Sequence, residues 1–226
     1  MEHNVGTFYG VSVGPGDPEL LTLKAIHCIE RCPVLAAPQT AEGRMLALDI
    51  VKGAVDVSGK TILPLRFAMS RDADVLRASH EAAAAAVRAQ LDAGNNVAMF
   101  NLGDVSIYAT YGYLEEILKA AGYPTARIAG VPSFCAAAAT LGQSLTSGME
   151  APLTIAPGRH AEQVLDAPGA KVLMKSGHQL PAALAALRQR GLLEKSAMVC
   201  NCGLPDEALW HDLSAYDPAQ NAGYFT

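Results

Sequence analysis

Short apolar segments alternate with helix-forming segments along the chain, and this alternation restricts the fold more than any other feature of the sequence. Strands are predicted at residues 6–13, 33–37, 96–102, 125–129, 153–156, 170–174 and 196–201. Helices are predicted at residues 19–31, 72–93, 106–121, 133–141 and 179–190. Strands and helices that alternate in this order indicate an α/β protein with mostly parallel sheets.

Turn-forming residues cluster between positions 146 and 151 and interrupt this alternation. We place a domain boundary there and predict two α/β domains, residues 1–147 and residues 148–226. The chain ends in the letters NAGYFT, which are typical of the start of a β-strand. We therefore expect the second domain to lack its last strand in the sequence as given.

The composition allows one large hydrophobic core or two modest ones, since the 226 residues are 50% hydrophobic and 17% charged. Acidic residues outnumber basic ones, 22 to 17, which argues against a nucleic-acid partner. The sequence has no apolar run that predicts a membrane span and no amino-terminal signal pattern, so we expect a cytoplasmic protein without a membrane partner. The five cysteines and six histidines show no metal-ligand spacing, so no protein-bound metal is expected.

Three of the predicted strands run directly into glycine-containing loops that open helices. The loops contain the letters VGPGDP, NLGDVSIY and AGVPSF, which begin at positions 13, 101 and 129. In open α/β sheets, ligands bind beyond the carboxyl ends of the strands, so three such loops predict a binding site at that edge. Any tight turn between a strand and a helix also favours glycine, so each loop taken alone is equally consistent with a structural role.

The first of these loops does not match a phosphate-binding loop. Its two glycines are followed by Glu19 where the dinucleotide pattern needs a third glycine, and no Gly-Lys-Ser/Thr follows. Pro15 and Pro18 each lack a backbone N–H, and Asp17 is predicted to cap the helix that Pro18 begins. A carboxylate at this position favours a ligand with positive charge over a phosphate, although helix capping alone would also explain Asp17.

The second loop places another carboxylate, Asp104, beside Gly103 at the entrance of a predicted helix. S-adenosylmethionine suits such a site, because it carries a sulfonium and an ammonium group and no phosphate. The letters VSIYATY that follow are small and aromatic residues, which are candidates for lining a pocket. Helix capping is again the structural alternative for Asp104.

Together the three loops resemble the motifs of the tetrapyrrole (precorrin) methyltransferase family, in the same order and spacing. The matching stretches are GVSVGPGDPELLTLKA, NLGDVSIYATY and GVPSFCAAAA, and the resemblance extends over nearly the whole chain. Within this family, the sequence is most similar to the members that methylate C20 of precorrin-2 or cobalt-precorrin-2. Val105 stands where many relatives have proline, which is a departure from the second motif.

The resemblance implies two α/β domains around a cleft that binds S-adenosylmethionine, a homodimer, and a tetrapyrrole substrate that carries carboxylates. Carried over position by position, the implied cofactor contacts are Pro15, Leu102, Gly103, Asp104, Ile107, Ser133, Phe134, Met174, Lys175 and Gly203. A core position for Met174 is the structural alternative to its cofactor contact.

Five residues are candidates for roles toward the substrate, two of which are also implied cofactor contacts. Asp104 is the candidate for the base that removes the proton from C20. The candidates for binding the substrate carboxylates are Arg44, Arg66, Arg71 and Lys175, and arginine in particular matches a carboxylate in bidentate geometry. Solvated surface positions are the structural alternative for the three arginines.

The implied reaction transfers a methyl group from S-adenosylmethionine to C20 of precorrin-2 or cobalt-precorrin-2 in cobalamin (vitamin B12) biosynthesis, with S-adenosylhomocysteine as the second product. Any cobalt would arrive within the substrate. The alternatives are methylation of another position of a precorrin or uroporphyrinogen, a diphthine or ribosomal-RNA methyltransferase, and a tetrapyrrole-binding protein without catalysis. Gly103→Val is expected to abolish cofactor binding with little loss of fold stability.

Overall fold

The computed structural model describes residues 5–146 and 148–217, and the chain divides into two compact units between Pro132 and Ser133. The first unit contains β1 (Phe8–Ser12), α1 (Leu23–Arg31), β2 (Val34–Pro38), α2 (Leu46–Lys52), β3 (Thr61–Leu65), α3 (Ala73–Asp92), β4 (Val97–Asn101), α4 (Tyr111–Ala120) and β5 (Thr125–Ile128). The second unit contains α5 (Ser133–Thr140), β6 (Leu153–Pro157), α6 (Ala161–Val164), β7 (Ala170–Met174), α7 (Leu180–Gln189), β8 (Met198–Cys200) and β9 (Ala208–Trp210).

The division into compact units lies ahead of α5, whereas the boundary drawn on the sequence lies after residue 147 and groups α5 with the first domain. Ser147 itself and the NAGYFT end, with its expected strand, lie outside the described residues. The two domains with limits at residue 147 therefore stay a prediction.

Strand β1 lies inside a parallel sheet whose order, in the described part of the chain, is β3-β2-β4-β1-β5. Phe8 pairs with Val97 of β4 on one side and with Thr125 of β5 on the other. Helices connect the successive strands, so the carboxyl ends of all five strands lie along the same edge. The α/β class with mostly parallel strands is thereby confirmed.

Side chains of the central strands alternate between two layers of helices. On β4, Ala98 and Phe100 belong to the core that packs under α1 and α2, while Val97 and Met99 belong to the core under α3 and α4. All four side chains are fully buried. Because both faces of the sheet are covered, β4 is a continuous apolar run rather than an alternating one.

The connections that leave neighbouring strands turn toward opposite faces of the sheet. From β1 and β2 the chain enters the layer of α1 and α2, and from β3 and β4 it enters the layer of α3 and α4. Since β4 lies between β1 and β2, its connection leaves in the opposite direction from those of both neighbours. Such a change of direction opens a crevice at the carboxyl ends of the strands, where ligands of open α/β sheets bind.

The second unit contains two strand pairs and a helix that covers them. β6 and β7 are parallel, whereas β8 and β9 are antiparallel. The core of this unit combines the apolar face of α7 with Met198 of β8 and with Leu213 and Tyr216 further along. Within residues 5–146 and 148–217, no helix has both the length and the apolar character needed to cross a membrane.

Two predicted helices begin later than the sequence pattern indicates. The helix predicted at residues 106–121 begins only at Tyr111, because Ser106 donates its backbone N–H to Asp104 and Tyr108 has a left-handed backbone with a φ of 49°. The helix predicted at residues 19–31 begins at Leu23, after a separate helical turn. The hydroxyl of Thr22 caps it by accepting the backbone N–H of Ala25 at 3.2 Å.

Four short elements are absent from the sequence-based prediction: α2, α6, β3 and β9. They have seven, four, five and three residues, which is too few for a clear periodicity. Pro64 within β3 also argues against a strand, since proline cannot donate a backbone hydrogen bond. β3 accommodates it because it lies at the edge of the sheet.

Gly10 of β1 lies directly under the ring of Tyr111. A Cβ at Gly10 would lie 2.7 Å from ring carbons of Tyr111, whose hydroxyl is held 3.1 Å from the carbonyl oxygens of Phe8 and Ala126. Because the ring is fixed at both ends, we expect Gly10→Ala to lower the free energy of unfolding by about 1–3 kcal/mol, as other overpacked cores do. Urea unfolding measures this change.

Gly112→Ala is the matched control for this prediction. Gly112 lies within α4, and a Cβ there would have no neighbour closer than 4.0 Å. Alanine should therefore stabilise the helix by about 0.5–1 kcal/mol relative to glycine. A Gly10→Ala variant that unfolds at the same urea concentration as the wild type would show that the ring position is adjustable.

Candidate functional site

Three neighbouring strands of the first unit end in the glycine-containing loops. We name these the first loop (residues 13–17, after β1), the second loop (residues 102–108, after β4) and the third loop (residues 129–132, after β5). β4, β1 and β5 are adjacent in the sheet, so the three loops lie side by side at its carboxyl edge. This is the arrangement that the sequence pattern predicts.

The first and second loops are joined through their backbones. The N–H of Gly103 donates to the carbonyl oxygen of Gly14 at 2.8 Å, and the N–H of Val13 donates to that of Asn101 at 2.9 Å. Gly14 and Gly103 have φ angles of 73° and 69°, in the left-handed region that favours glycine. A valine at Gly103 would be strained there, so the expectation that Gly103→Val spares fold stability is wrong.

Ser12, the last residue of β1, ties all three strand ends together. It is completely buried, and its hydroxyl donates to the carbonyl oxygen of Ile128 at 2.7 Å. The same oxygen accepts the backbone N–H of Val105 at 2.9 Å. One hydroxyl group therefore satisfies a buried acceptor at the end of β5 and a buried donor in the second loop.

Asp104 links the second loop to the third. Its Oδ2 accepts the backbone N–H of Gly130 at 2.7 Å, and its Oδ1 accepts the backbone N–H of Ser106 at 2.8 Å and also the Ser106 hydroxyl. The residue is 8% exposed. Burial raises the pKa of Asp104, but the hydrogen bonds from Ser106 and Gly130 outweigh it and hold the pKa below its ordinary value. Asp104 is therefore ionised at neutral pH.

Gly130 is the residue that lets the third loop approach the end of β1 and the second loop. A Cβ on Gly130 would lie 2.4 Å from the Cβ of Ser12 and 3.2 Å from the carbonyl oxygen of Gly103. Neither Ser12 nor Gly130 is among the site residues predicted from the sequence. The only signal for them is a small polar residue inside an apolar strand and a glycine that opens the third motif.

The start of the helical turn after the first loop is occupied by the chain itself. The carboxylate of Asp17 accepts the backbone N–H of Glu19 at 2.8 Å, and Pro18 begins the turn. The predicted cap at Asp17 is thus present, and it takes the position that an anion would need. Pro15, Leu102 and Ile107 are half-buried at the same edge.

Two of the three candidate substrate arginines lie close together at the carboxyl ends of β2 and β3. The Nε of Arg66 donates to Oε1 of Gln39 at 3.1 Å, and Nε2 of Gln39 donates to the carbonyl oxygen of Gly43 at 3.2 Å, next to Arg44. Arg71 precedes α3, and among the described residues no side-chain hydrogen bond connects it to the other two. All three arginines are exposed.

The remaining candidate residues belong to the second unit. Ser133 and Phe134 begin α5 and are half-buried. Met174 ends β7 and is half-buried, Lys175 follows it with a left-handed φ of 55°, and the N–H of Gly203 donates to the carboxylate of Glu207 at 2.7 Å. The contact of these residues with a cofactor stays a prediction. In the part of the chain that the structure describes, no three metal-ligating side chains form a cluster.

Replacing Asp104 by asparagine should expose its stabilising contribution. An amide has one acceptor oxygen, so its NH₂ group must face one of the N–H donors of Ser106 or Gly130. We expect Asp104→Asn to lower the free energy of unfolding at neutral pH by about 1–3 kcal/mol. Asp17→Asn is the control, because asparagine caps a helical turn about as well as aspartate.

The difference in unfolding free energy between the wild type and Asp104→Asn should depend on pH, and the sign of this dependence follows from the lowered pKa of Asp104. Its stabilising contribution is complete above the unfolded-state pKa of about 3.9 and is lost as the pH falls through the lower folded-state pKa. The stability gap between wild type and Asp104→Asn should therefore shrink below pH of about 4, measured by urea unfolding across that range. A stability difference that stays constant with pH would contradict the conclusion that the ionised carboxylate of Asp104 stabilises the fold.

Comparison with known proteins assigns the chain to a family. The family model of tetrapyrrole (corrin/porphyrin) methylases matches residues 7–215. The cobalt-precorrin-2 C(20)-methyltransferase of Salmonella typhimurium is 31% identical over 227 residues, 98% of this chain and 94% of that protein. The precorrin-2 C(20)-methyltransferase of a Sinorhizobium species is 32% identical over 207 residues, 86% of this chain and 83% of that protein.

A solved structure shares the fold. It is the uroporphyrin-III C-methyltransferase of Thermus thermophilus in complex with S-adenosylhomocysteine, with a TM-score of 0.62 and 23% identity. The likeness covers 92% of this chain and 84% of that one. From the family match and these relatives together, the chain belongs to the family of tetrapyrrole (corrin/porphyrin) methylases.

Proposed function

We propose that this protein is an S-adenosylmethionine-dependent C-methyltransferase that methylates C20 of precorrin-2 or cobalt-precorrin-2 in cobalamin biosynthesis. The observation that carries the proposal is the identity of 31–32% to proteins with this activity in their names, over 86–98% of the chain. The three loops at the carboxyl edge of the first sheet are the motifs on which the family resemblance rests. Methylation of another macrocycle carbon is the alternative within the same family.

The first loop fits S-adenosylmethionine better than a phosphate-bearing cofactor. Asp17 already accepts the N–H at the start of the helical turn, and Pro15 and Pro18 offer none. Leu102 and Ile107 supply half-buried apolar surface that suits an adenosine. When bound, the cofactor supplies an electrophilic methyl group. We propose Pro15, Leu102, Gly103, Asp104 and Ile107 as its contacts in the first unit.

The second unit would supply the other contacts, at Ser133, Phe134, Met174, Lys175 and Gly203. The substrate carboxylates would bind Arg44 and Arg66, whose neighbouring positions suit two groups of one macrocycle. Arg71 is a third, more distant candidate. We also propose a homodimer, on the family resemblance and on a mean hydropathy of +0.18. A cytoplasmic location is proposed on the sequence pattern, in which five scattered cysteines suit a reducing compartment.

The chain's main contribution to the reaction would be positioning. The nucleophile is an electron-rich carbon of the macrocycle, so no side chain needs to form a covalent bond. A carboxylate held against the reacting cation would stabilise the ground state more than the transition state, where that charge declines. Correct orientation of two reactants can contribute about 7–11 kcal/mol. Loops that are fixed to one another by buried hydrogen bonds meet this requirement.

Asp104 fits the role of a positioning residue better than that of a base. Both carboxylate oxygens accept hydrogen bonds from the second and third loops, and a lowered pKa makes the group a weaker base at neutral pH. We propose that it fixes the distance between these loops. Removal of the C20 proton by Asp104 stays the competing prediction.

The proposed reaction is tested by incubating the protein with labelled S-adenosylmethionine and with either precorrin-2 or cobalt-precorrin-2. We expect one labelled methyl group per macrocycle, located at C20 by carbon NMR, with the faster substrate identifying the natural form. Label at another carbon would support the alternative within the family. If the protein transfers no methyl group and shows no saturable binding of S-adenosylmethionine, a tetrapyrrole-binding protein without catalysis is favoured instead.

The role of Asp104 is tested by comparing the turnover of Asp104→Asn with that of Ser12→Ala. Both changes remove hydrogen bonds that hold the strand ends and loops of this edge together, so positioning predicts losses of kcat of similar size, accompanied by losses of stability. A general base contributes about 10²–10⁴-fold. If Asp104→Asn loses that much while Ser12→Ala stays close to wild type, and the acid limb of the pH profile disappears, Asp104 is the base.

A further inference from the structure

The residues that follow β6 and β7 are packed against each other in the second unit. Pro157 pairs with Met174 at the last position of the two parallel strands. A Cβ on Gly158 would lie 2.5 Å from the Oγ of Ser176, so the segments after β6 and β7 approach each other as closely as glycine allows. Ser176 is 4% exposed, and its hydroxyl donates to the carbonyl oxygen of Leu173 at 3.2 Å.

Two cationic side chains flank this close approach, Arg159 after β6 and Lys175 after β7. Within the described residues, no carboxylate lies within 4.0 Å of the Arg159 guanidinium, whose Nε donates to the ring of His160 at 3.0 Å. The pKa of Lys175 is lowered, first by burial of its amine and then by the charge of Arg159. The residue as a whole is nevertheless exposed. The close approach of Gly158 and Ser176 thus brings the neighbouring residues Arg159 and Lys175 to the same end of the two paired strands.

The backbone of Lys175 is strained as well. Its φ of 55° lies in the left-handed region, which disfavours residues with a side chain. Among the described residues, the other non-glycine residues of this kind are Tyr108 and Asn201, in the segments after β4 and β8. Residues in such conformations cluster at functional sites, where the surrounding structure enforces them.

The geometry points to a carboxylate-binding site formed by Arg159 and Lys175 at the carboxyl ends of β6 and β7. A carboxylate between the two cations would offset their repulsion and accept a charge-assisted hydrogen bond from each. The identity of the ligand rests on the proposed function: the carboxylate belongs either to a side chain of the tetrapyrrole or to the amino-acid part of S-adenosylmethionine. Arg159 is a residue that the sequence analysis does not single out.

The test removes each charge in turn, with Arg159→Gln and Lys175→Met. Lys171→Met is the matched control, because Lys171 lies on the same strand toward its opposite end. Two constants are measured: the Kd of S-adenosylhomocysteine by calorimetry, and the KM of the better of the two precorrin-2 substrates. We expect each variant to raise one of these constants about tenfold or more, as the loss of a charge-assisted hydrogen bond does, while the control stays near wild type.

A higher Kd of S-adenosylhomocysteine assigns the carboxylate to the amino-acid part of the cofactor, whereas a higher KM assigns it to the tetrapyrrole. Thermal unfolding separates binding from a structural role, because relief of the repulsion should leave the Tm of Arg159→Gln unchanged or higher, whereas loss of a structural contact would lower it. Unchanged Kd and KM in both variants would overturn the site, as would a lowered Tm without a change in either constant.

The site remains testable even if the proposed function fails. If the wild type methylates neither substrate, the Kd of S-adenosylhomocysteine still tests binding of the cofactor carboxylate. Binding of a tetrapyrrole carboxylate is then tested with uroporphyrin III, whose fluorescence reports its binding. Its octamethyl ester, which has no free carboxylate, serves as the comparison. Weaker binding of the free acid to both variants, with no change for the ester, supports the site. Equal binding of the acid to wild type and variants, together with an unchanged Kd, overturns it.

Discussion

The hydrogen bonds of Ser12 and Asp104 hold the carboxyl edge of the first sheet together, and the three loops depend on them for their shape. Together the two side chains satisfy backbone groups of Ile128, Val105, Ser106 and Gly130. Glycine-rich loops lose much conformational entropy on folding, so without such bonds they would sample many arrangements. The bonds of Ser12 are buried and those of Asp104 are partly buried, so leaving their partners unsatisfied would be costly.

The Asp104 carboxylate serves in this structure as a hydrogen-bond acceptor that connects two loops. A carboxylate with both oxygens engaged acts as a fixed acceptor, and its charge is already balanced in part by the N–H dipoles of Ser106 and Gly130. A site built in this way orients its ligands without moving its own groups during the reaction. Preorganisation of that kind is a large part of how enzymes lower activation barriers.

The sequence predicts the parts of this fold that depend on local chemistry. α3 has twenty residues with a capping aspartate, and β4 is an uninterrupted apolar run, so both are visible in the letters alone. The late start of α4 is not visible, because it depends on where the Asp104 side chain turns. Ser12 and Gly130 escape prediction for a related reason: their importance comes from contacts across more than a hundred residues of chain. Gln39, which links Arg66 to the turn before Arg44, also escapes prediction, although its bond to Arg66 spans only 27 residues.

The position of β1 also has a consequence for how the protein is made. β1 leaves the ribosome well before its partners β4 and β5, as the bond from Thr7 to Asn96 across 89 residues illustrates. At a translation rate of roughly 5–20 residues per second, the apolar strand waits several seconds without either neighbour. During this interval the nascent chain exposes a segment that can pair with other chains, and holdase chaperones would be most useful then.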